Sequence, residues 1–162
     1  MTQNRPSWID TWMNVAEVVG NRSLCDARKI GAVVVSADNS YSVPGYNGPP
    51  RGFDVPWKTL NTERSGCTAW CPRMKNNVRT VGYSNCVSIH AEANCLIRAD
   101  YSRIQGGSIF VTSAVCWDCG KLVANSGIAN VYMTVDMGTE AHRDPYRTMN
   151  FMRNCGLGVY VV

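Results

Sequence analysis

No stretch of the 162-residue chain approaches the roughly 18–20 consecutive apolar residues that a bilayer-spanning helix needs. Its opening residues, MTQNRPSWID, lack the apolar core of a secretory signal. These absences exclude an α-helical membrane protein and set the expectation of a cytoplasmic one. An excess of one charge is lacking too. Sixteen Lys+Arg against twelve Asp+Glu leave a formal net charge of +4, evenly spread, too mild for a dedicated nucleic-acid or membrane-surface binder but compatible with an anionic small substrate. There is no internal repeat, no low-complexity segment, and no room for a second domain of ordinary size, so residues 1–162 are expected to form one domain. What the chain does contain is cysteine. Eight of them in a cytosolic protein point to metal ligation or catalysis rather than to disulfides, because cytosolic reductants keep thiols reduced.

Ser7 followed by Asp10 has the form of a capping box, and Trp8, Ile9, Trp12, Met13, Ala16 and Val19 recur at helical spacing until Gly20-Asn21. A first amphipathic helix is predicted there. Ile30–Val35 is a short apolar, β-branched run, and a polar link to Tyr41–Tyr46 suggests a hairpin. From about residue 48 to 85 the chain is rich in Gly, Pro, Asn and basic residues with no clear period, which marks a functional insertion. Helices are then predicted from His90 to Asp100, Cys116 to Ser126 and Arg143 to Asn154. Strands are predicted over Ser108–Thr112, Ile128–Val135 and Leu157–Val162. This alternation implies a three-layer α/β/α sandwich around a five-stranded mixed sheet.

His90-Ala91-Glu92 opens one predicted helix and Cys116-Trp117-Asp118-Cys119 the next. One imidazole and two thiolates make three zinc ligands, and three protein ligands leave the fourth tetrahedral position open, as a catalytic zinc requires. Glu92, beside the metal without ligating it, can take and return a proton. Taken alone, Cys116 and Cys119 fit equally well a closed structural site or two buried thiols. The His-x-Glu partner shifts the balance toward catalysis, since His-x-Glu ahead of Cys-x-x-Cys is the signature of zinc deaminases.

Wider stretches carry a more specific pattern: Ser23-Leu24-Cys25-Asp26-Ala27-Arg28-Lys29-Ile30-Gly31, then Gly45-Tyr46-Asn47-Gly48-Pro49-Pro50-Arg51-Gly52, His90-Ala91-Glu92-Ala93-Asn94 and Ser126-Gly127-Ile128. In these the chain resembles the deoxycytidylate (dCMP) deaminase family of the cytidine deaminase-like superfamily. The resemblance implies hydrolysis of dCMP to dUMP and ammonia on a zinc held by His90, Cys116 and Cys119, with Glu92 as acid and base. It implies that Asn47 meets the deoxyribose and that the Ala91 backbone and the Glu92 carboxylate meet the pyrimidine. It also brings Tyr46 and Gly48 near a regulatory site for dCTP or dTTP, and a homo-oligomer, dimer or hexamer, without a nucleic-acid or membrane partner.

Two departures from the family pattern bear on the site. Ala114-Val115 stand where Pro commonly precedes Cys-x-x-Cys. Asp136-Met137-Gly138 stand where a Tyr commonly meets the 5′-phosphate, so Arg28, Lys29 or Arg51 is expected to replace it unless the substrate is a free nucleoside or a modified cytidylate. A non-catalytic, zinc-stabilised homologue is the alternative from a different functional class.

Cys25, Cys67, Cys71 and Cys86 remain. By resemblance to phage and bacterial relatives they would close a second, structural zinc site that shapes the insertion; otherwise they are unconnected thiols. Cys95 and Cys155 fit core or helix-face positions, and His142 a surface one. Trp57, Trp70 and Tyr83 in the insertion are candidates to cover a subunit interface.

Overall fold

The computed structural model describes residues 5–53, 67, 71–73, 86–137 and 144–162. Most of the predicted insertion, with Trp57, Trp70 and Tyr83, lies outside them, as do Gly138, His142 and Arg143.

Helix α1 (Trp8–Gly20) starts at the predicted capping box: Ser7 Oγ accepts from Asp10 N, and the Asp10 carboxylate accepts from Ser7 N. Strands β1 (Gly31–Val35) and β2 (Ser42–Tyr46) follow as the predicted hairpin, paired antiparallel with Gly31 opposite Tyr46. Helix α2 (Ala91–Arg98) is shorter than predicted. Ala99 is extended, and the Asp100 side chain accepts from Ser102 N to start a separate short helix α3 (Tyr101–Ile104) that apolar spacing did not reveal. Then come β3 (Ser108–Val111), α4 (Trp117–Ala124), β4 (Asn130–Met133), α5 (Pro145–Asn154) and β5 (Gly158–Val161), each inside or near its predicted span.

The five strands form one mixed sheet in the order β2-β1-β3-β4-β5, with β1 antiparallel to both neighbours and β3, β4 and β5 parallel. The unbroken apolar run of β1 is explained by burial on both faces. Val33 and Val35 face α1 together with Met13, Ala16 and Phe110. Ala32 and Val34 face the opposite layer, where Ala91 and Cys95 of α2, Val123 of α4 and Met149 and Met152 of α5 pack against Ile109, Val111, Val131 and Met133. Each fully buried Val stabilises this arrangement by about 1.5–3 kcal/mol relative to an exposed one. The result is the expected α/β/α sandwich. Beyond α1 the first face continues as a stacked ladder of Phe110, Tyr132 and Tyr160, with ring centroids 4.8 and 4.9 Å apart.

Sheet topology fixes where a site can form. The ends of β2 and β3 and the start of β1 share one edge of the sheet, because Tyr46 lies opposite Gly31 and Val111 opposite Ala32. The segments leading to α2 and α4 reach that same end, outside the carboxyl end of β3, the usual place for ligands in such sheets.

Candidate active site

His90 and Cys116 hold the N-cap positions of α2 and α4, where Ser, Thr, Asp or Asn is the stabilising choice, and neither side chain makes a cap hydrogen bond. They turn toward each other instead. His90 Nδ1 lies 3.3 Å from Cys116 Sγ and 3.4 Å from Cys119 Sγ, and Cys119 is one turn into α4. The three ligand atoms lie within 4.8 Å of one another, and no other group of three His, Cys, Asp or Glu side chains among the described residues does so.

The donor set fits a zinc ion by its own chemistry. Hydrogen bonding to Cys119, then to His90, holds the Cys116 thiol far below its ordinary range, at about 4, while the same contact pushes Cys119 upward. A divalent cation between them favours both thiolates at once and claims the Nδ1 lone pair of His90. Val115, in the place of the usual Pro, is 2% exposed and fills the core under the site, so the departure leaves Cys116 seated.

Glu92, in the first turn of α2, is 4% exposed and meets the Cys119 thiol. Burial raises the pKa of its carboxyl, opposed in part by its own backbone N–H and by His90. A carboxyl raised in this way holds and releases a proton more readily near neutral pH than an exposed one. His90, Glu92 and Cys116 open onto one cavity, which is continuous with solvent. Arg28, Ile30, Asn47, Arg73, Ser88 and Ala114 line the rest of its wall with Cys25, Ala27 and Cys86.

Not every expected contact is placed as the sequence suggested. Asn47 lines the cavity and is buried, but its amide already braces the wall. Its Oδ1 accepts from Ile30 N at 2.9 Å and its Nδ2 donates to Arg28 O at 2.9 Å, leaving one N–H and one lone pair for a ligand. Ala91, whose backbone is expected to meet the pyrimidine, has its side chain buried in the core and its carbonyl turned to Gly45, next to Glu92 in the first turn of α2. Lys29 and Arg51 are exposed and line no part of this cavity; Arg28 does. Tyr46 lies under the Arg22 guanidinium at 5.9 Å, outside the cavity. The loop it begins is a joint: Asn94 Nδ2 donates to Tyr46 O at 2.8 Å, and Gly48 and Ile89 exchange two backbone bonds at 3.1 and 2.8 Å, tying β2 to the segment that carries His90. Asp136 is exposed and is not part of the cavity lining.

Sequence reasoning missed Arg73, which is 7% exposed and lines the catalytic cavity. The signal was its position two residues after Cys71, a suspected metal ligand that would fix a neighbouring side chain. Cys25, Cys67, Cys71 and Cys86 converge on a second cavity adjoining the first, lined also by Arg73, Ser88, Gly48 and Pro49. They meet there as two hydrogen-bonded pairs, Cys25 with Cys67 and Cys71 with Cys86, with Cys86 also sensing Cys25. Burial, reinforced by Cys25, pushes the Cys67 thiol up to about 11, although the Asp26 N–H donates to its sulfur at 3.2 Å. Cys95 is fully buried in the core, whereas Cys155 is exposed.

A profile of the cytidine and deoxycytidylate deaminase zinc-binding region matches residues 6–135. The deoxycytidylate deaminase of Mycobacterium phage D29 is 34% identical over 134 residues, covering 79% of this chain and 94% of that protein. That of Schizosaccharomyces pombe is 30% identical over 141 residues, covering 85% of this chain but only 40% of the yeast protein. Among solved structures, the apo crystal structure of the dCMP deaminase from cyanophage S-TIM5 superimposes with a TM-score of 0.66 at 25% identity, over 98% of this chain and 100% of that one. Sheet order, ligand triad and buried glutamate agree with a match that spans most of the sequence, and on these grounds the chain belongs to the cytidine and deoxycytidylate deaminase family.

Proposed function

We propose that the protein is a zinc-dependent deoxycytidylate deaminase, which adds water to C4 of the cytosine of dCMP and releases dUMP and ammonia. The observation that carries this reading is Glu92, buried and beside the His90, Cys116 and Cys119 triad in the wall of a shared cavity. A structural zinc site has no use for a buried acid/base carboxylate. The names of the phage D29 and fission-yeast relatives support dCMP as the substrate.

His90, Cys116 and Cys119 hold the zinc, which when bound supplies an activated water near neutral pH. Glu92 would accept one proton from the attacking water and pass it to the ring nitrogen beside C4, then take the remaining proton of the hydroxyl added at C4 and give it to the amine as the C4–N bond breaks and C4=O forms. Burial suits it to both directions of transfer. Asn47 holds the segment of Arg28 to Ile30 in place and turns its remaining N–H and lone pair to the sugar. Cys25, Cys67, Cys71 and Cys86 bind a second, structural zinc once their two thiol pairs close around it, giving the insertion the folding energy it needs. Tyr46, Gly48, Lys29 and Arg51 lie outside the catalytic cavity and are assigned to an effector nucleotide, dCTP or dTTP, in a cytoplasmic homo-oligomer. No helix among the described residues is long and apolar enough to cross a membrane.

The test is ammonia release by zinc-loaded protein offered dCMP, CMP, deoxycytidine and dCTP, with Glu92→Gln alongside. Turnover of dCMP, lost by at least about 100-fold in Glu92→Gln at unchanged zinc content, is expected. Equal turnover by the variant would sink the proposed mechanism.

A further inference from the structure

Arg73 is a cation in an unusual place. It is 7% exposed, and it lines two cavities, the one that holds Glu92 and His90 and the one that collects Cys25, Cys67, Cys71 and Cys86. Burying a guanidinium is costly unless its donors are used, and its five N–H groups can hold protein partners and still present an edge to a ligand. Arg28 lines the same catalytic cavity but is only half-buried, whereas Lys29 and Arg51 point to solvent. After β4, Asp136 supplies no cation and lies outside the cavity.

Resting on the deaminase reading above, we propose that Arg73 is the residue that reads the substrate's 5′-phosphate, and that the four-cysteine cluster is what holds it in the cavity wall. A guanidinium binds phosphate in a bidentate, charge-assisted manner, and it does so best when desolvated. Arg73 meets the second condition and is reached by the cavity whose floor takes the base. Its backbone is fixed from two sides. Cys71, two residues earlier, pairs with Cys86, and the Cys71 N–H donates to Cys67 O at 2.7 Å, while Cys67 pairs with Cys25. Cys25 and Cys86 themselves line both cavities. The thiol cluster therefore acts on substrate choice through Arg73, in addition to stabilising the insertion.

The experiment compares wild type, Arg73→Gln and Arg73→Lys on dCMP and on deoxycytidine, and measures binding of dUMP against deoxyuridine by calorimetry, all at matched zinc content. Arg73→Gln is expected to raise KM for dCMP about 100-fold and weaken dUMP by a similar factor, with deoxycytidine and deoxyuridine changed by less than threefold. Arg73→Lys keeps the charge and recovers at least tenfold of the loss. Cys71→Ser, if Arg73 is positioned by the cluster, raises KM for dCMP selectively, whereas a purely structural role lowers both activities together. An unchanged preference for dCMP over deoxycytidine in Arg73→Gln, or equal loss on both, overturns the assignment. Wild type that does not deaminate dCMP overturns the functional reading instead, and the dUMP and deoxyuridine comparison then decides Arg73 by itself: selective loss of dUMP in Arg73→Gln supports it, and no loss removes it.

Discussion

Gly45 offers the strictest test of how the site is positioned. It is the first residue of the Gly-Tyr-Asn-Gly loop, and the reason for glycine there is space rather than backbone freedom, since it does not lie in the left-handed region. A Cβ at this position would stand 2.6 Å from Ala91 O, 2.7 Å from Cys95 Sγ and 2.8 Å from Cys95 N. Ordinary contact begins near 3.4 Å, so Gly45→Ala requires α2 and β2 to part by about 0.8 Å. Nothing nearby yields easily: Cys95 is fully buried, and α2 is held to the same loop by Asn94 and by the Gly48–Ile89 bridge. Overpacking of this kind costs about 1–3 kcal/mol. Because α2 carries Glu92 and begins at His90, a shift approaching 1 Å should also cost about 10- to 100-fold in turnover. Urea unfolding gives the first quantity, and ammonia release from dCMP at matched zinc gives the second. Gly48→Ala is the stability control, because its Cβ would meet only the Tyr46 ring at 3.6 Å. A Gly45→Ala protein with an unchanged urea midpoint and turnover within twofold of wild type would refute the claim that this contact sets the position of α2.

Other outcomes follow from the same structure. Removing the metal with a chelator should lower the thermal midpoint, and His90→Ala should lower it too and reduce the chelator effect to the part carried by the four-cysteine site, because an ion contributes to folding only through ligands that are in place. Asp38 accepts from Ser36 Oγ and from Ser40 N and Oγ, which lowers its pKa from 3.8 to about 2. A depressed folded-state pKa stabilises above the unfolded value and ceases to do so as pH falls through the folded one. The difference in urea midpoint between wild type and Asp38→Asn should therefore shrink between pH 5 and pH 2. Asn39 has φ of 60° and its Oδ1 accepts from Trp12 Nε1 at 2.7 Å. Asn39→Ala should lose about 1–2 kcal/mol, and Asn39→Gly should recover the backbone part but not the Trp12 bond, as urea unfolding can resolve.

Legibility of the fold followed the strength of the local signal. The Val-rich run of β1, the capping box at Ser7 and the hairpin to Tyr46 each combine pattern with turn chemistry, and the structure has them within a residue of the predicted bounds. Helix ends were less legible. Apolar spacing extends the helices to His90, Cys116 and Arg143, whereas the first two are N-caps, α5 begins at Pro145 behind the Asp144 cap, and Arg143 lies outside the described residues. The break at Ala99 escaped because Leu96 and Ala99 do pack on the core as a continuing helix would require. Only the Asp100 cap, bonded to Ser102, marks the restart.

The site was legible where chemistry is tied to helix starts and illegible where it depends on loops meeting across the sheet. His90, Glu92, Cys116 and Cys119 stand at fixed offsets from two helix N-termini, so spacing alone carries them. Arg73 and the bracing role of Asn47 depend on how residues 25–30, 47–49, 71–73 and 86–88 converge, which no period encodes. One local rule nonetheless marks the site from within. Ser7, Asp100 and Asp144 cap their helices with a side-chain bond, while His90 and Cys116 occupy the same position on α2 and α4 and make none. Each forgone cap costs about 1 kcal/mol, and both losses fall on the residues that bring nitrogen and sulfur to one point. A violation of local preference repeated at converging helix ends is what a metal site demands, because its ligands must face each other before they serve their own helices.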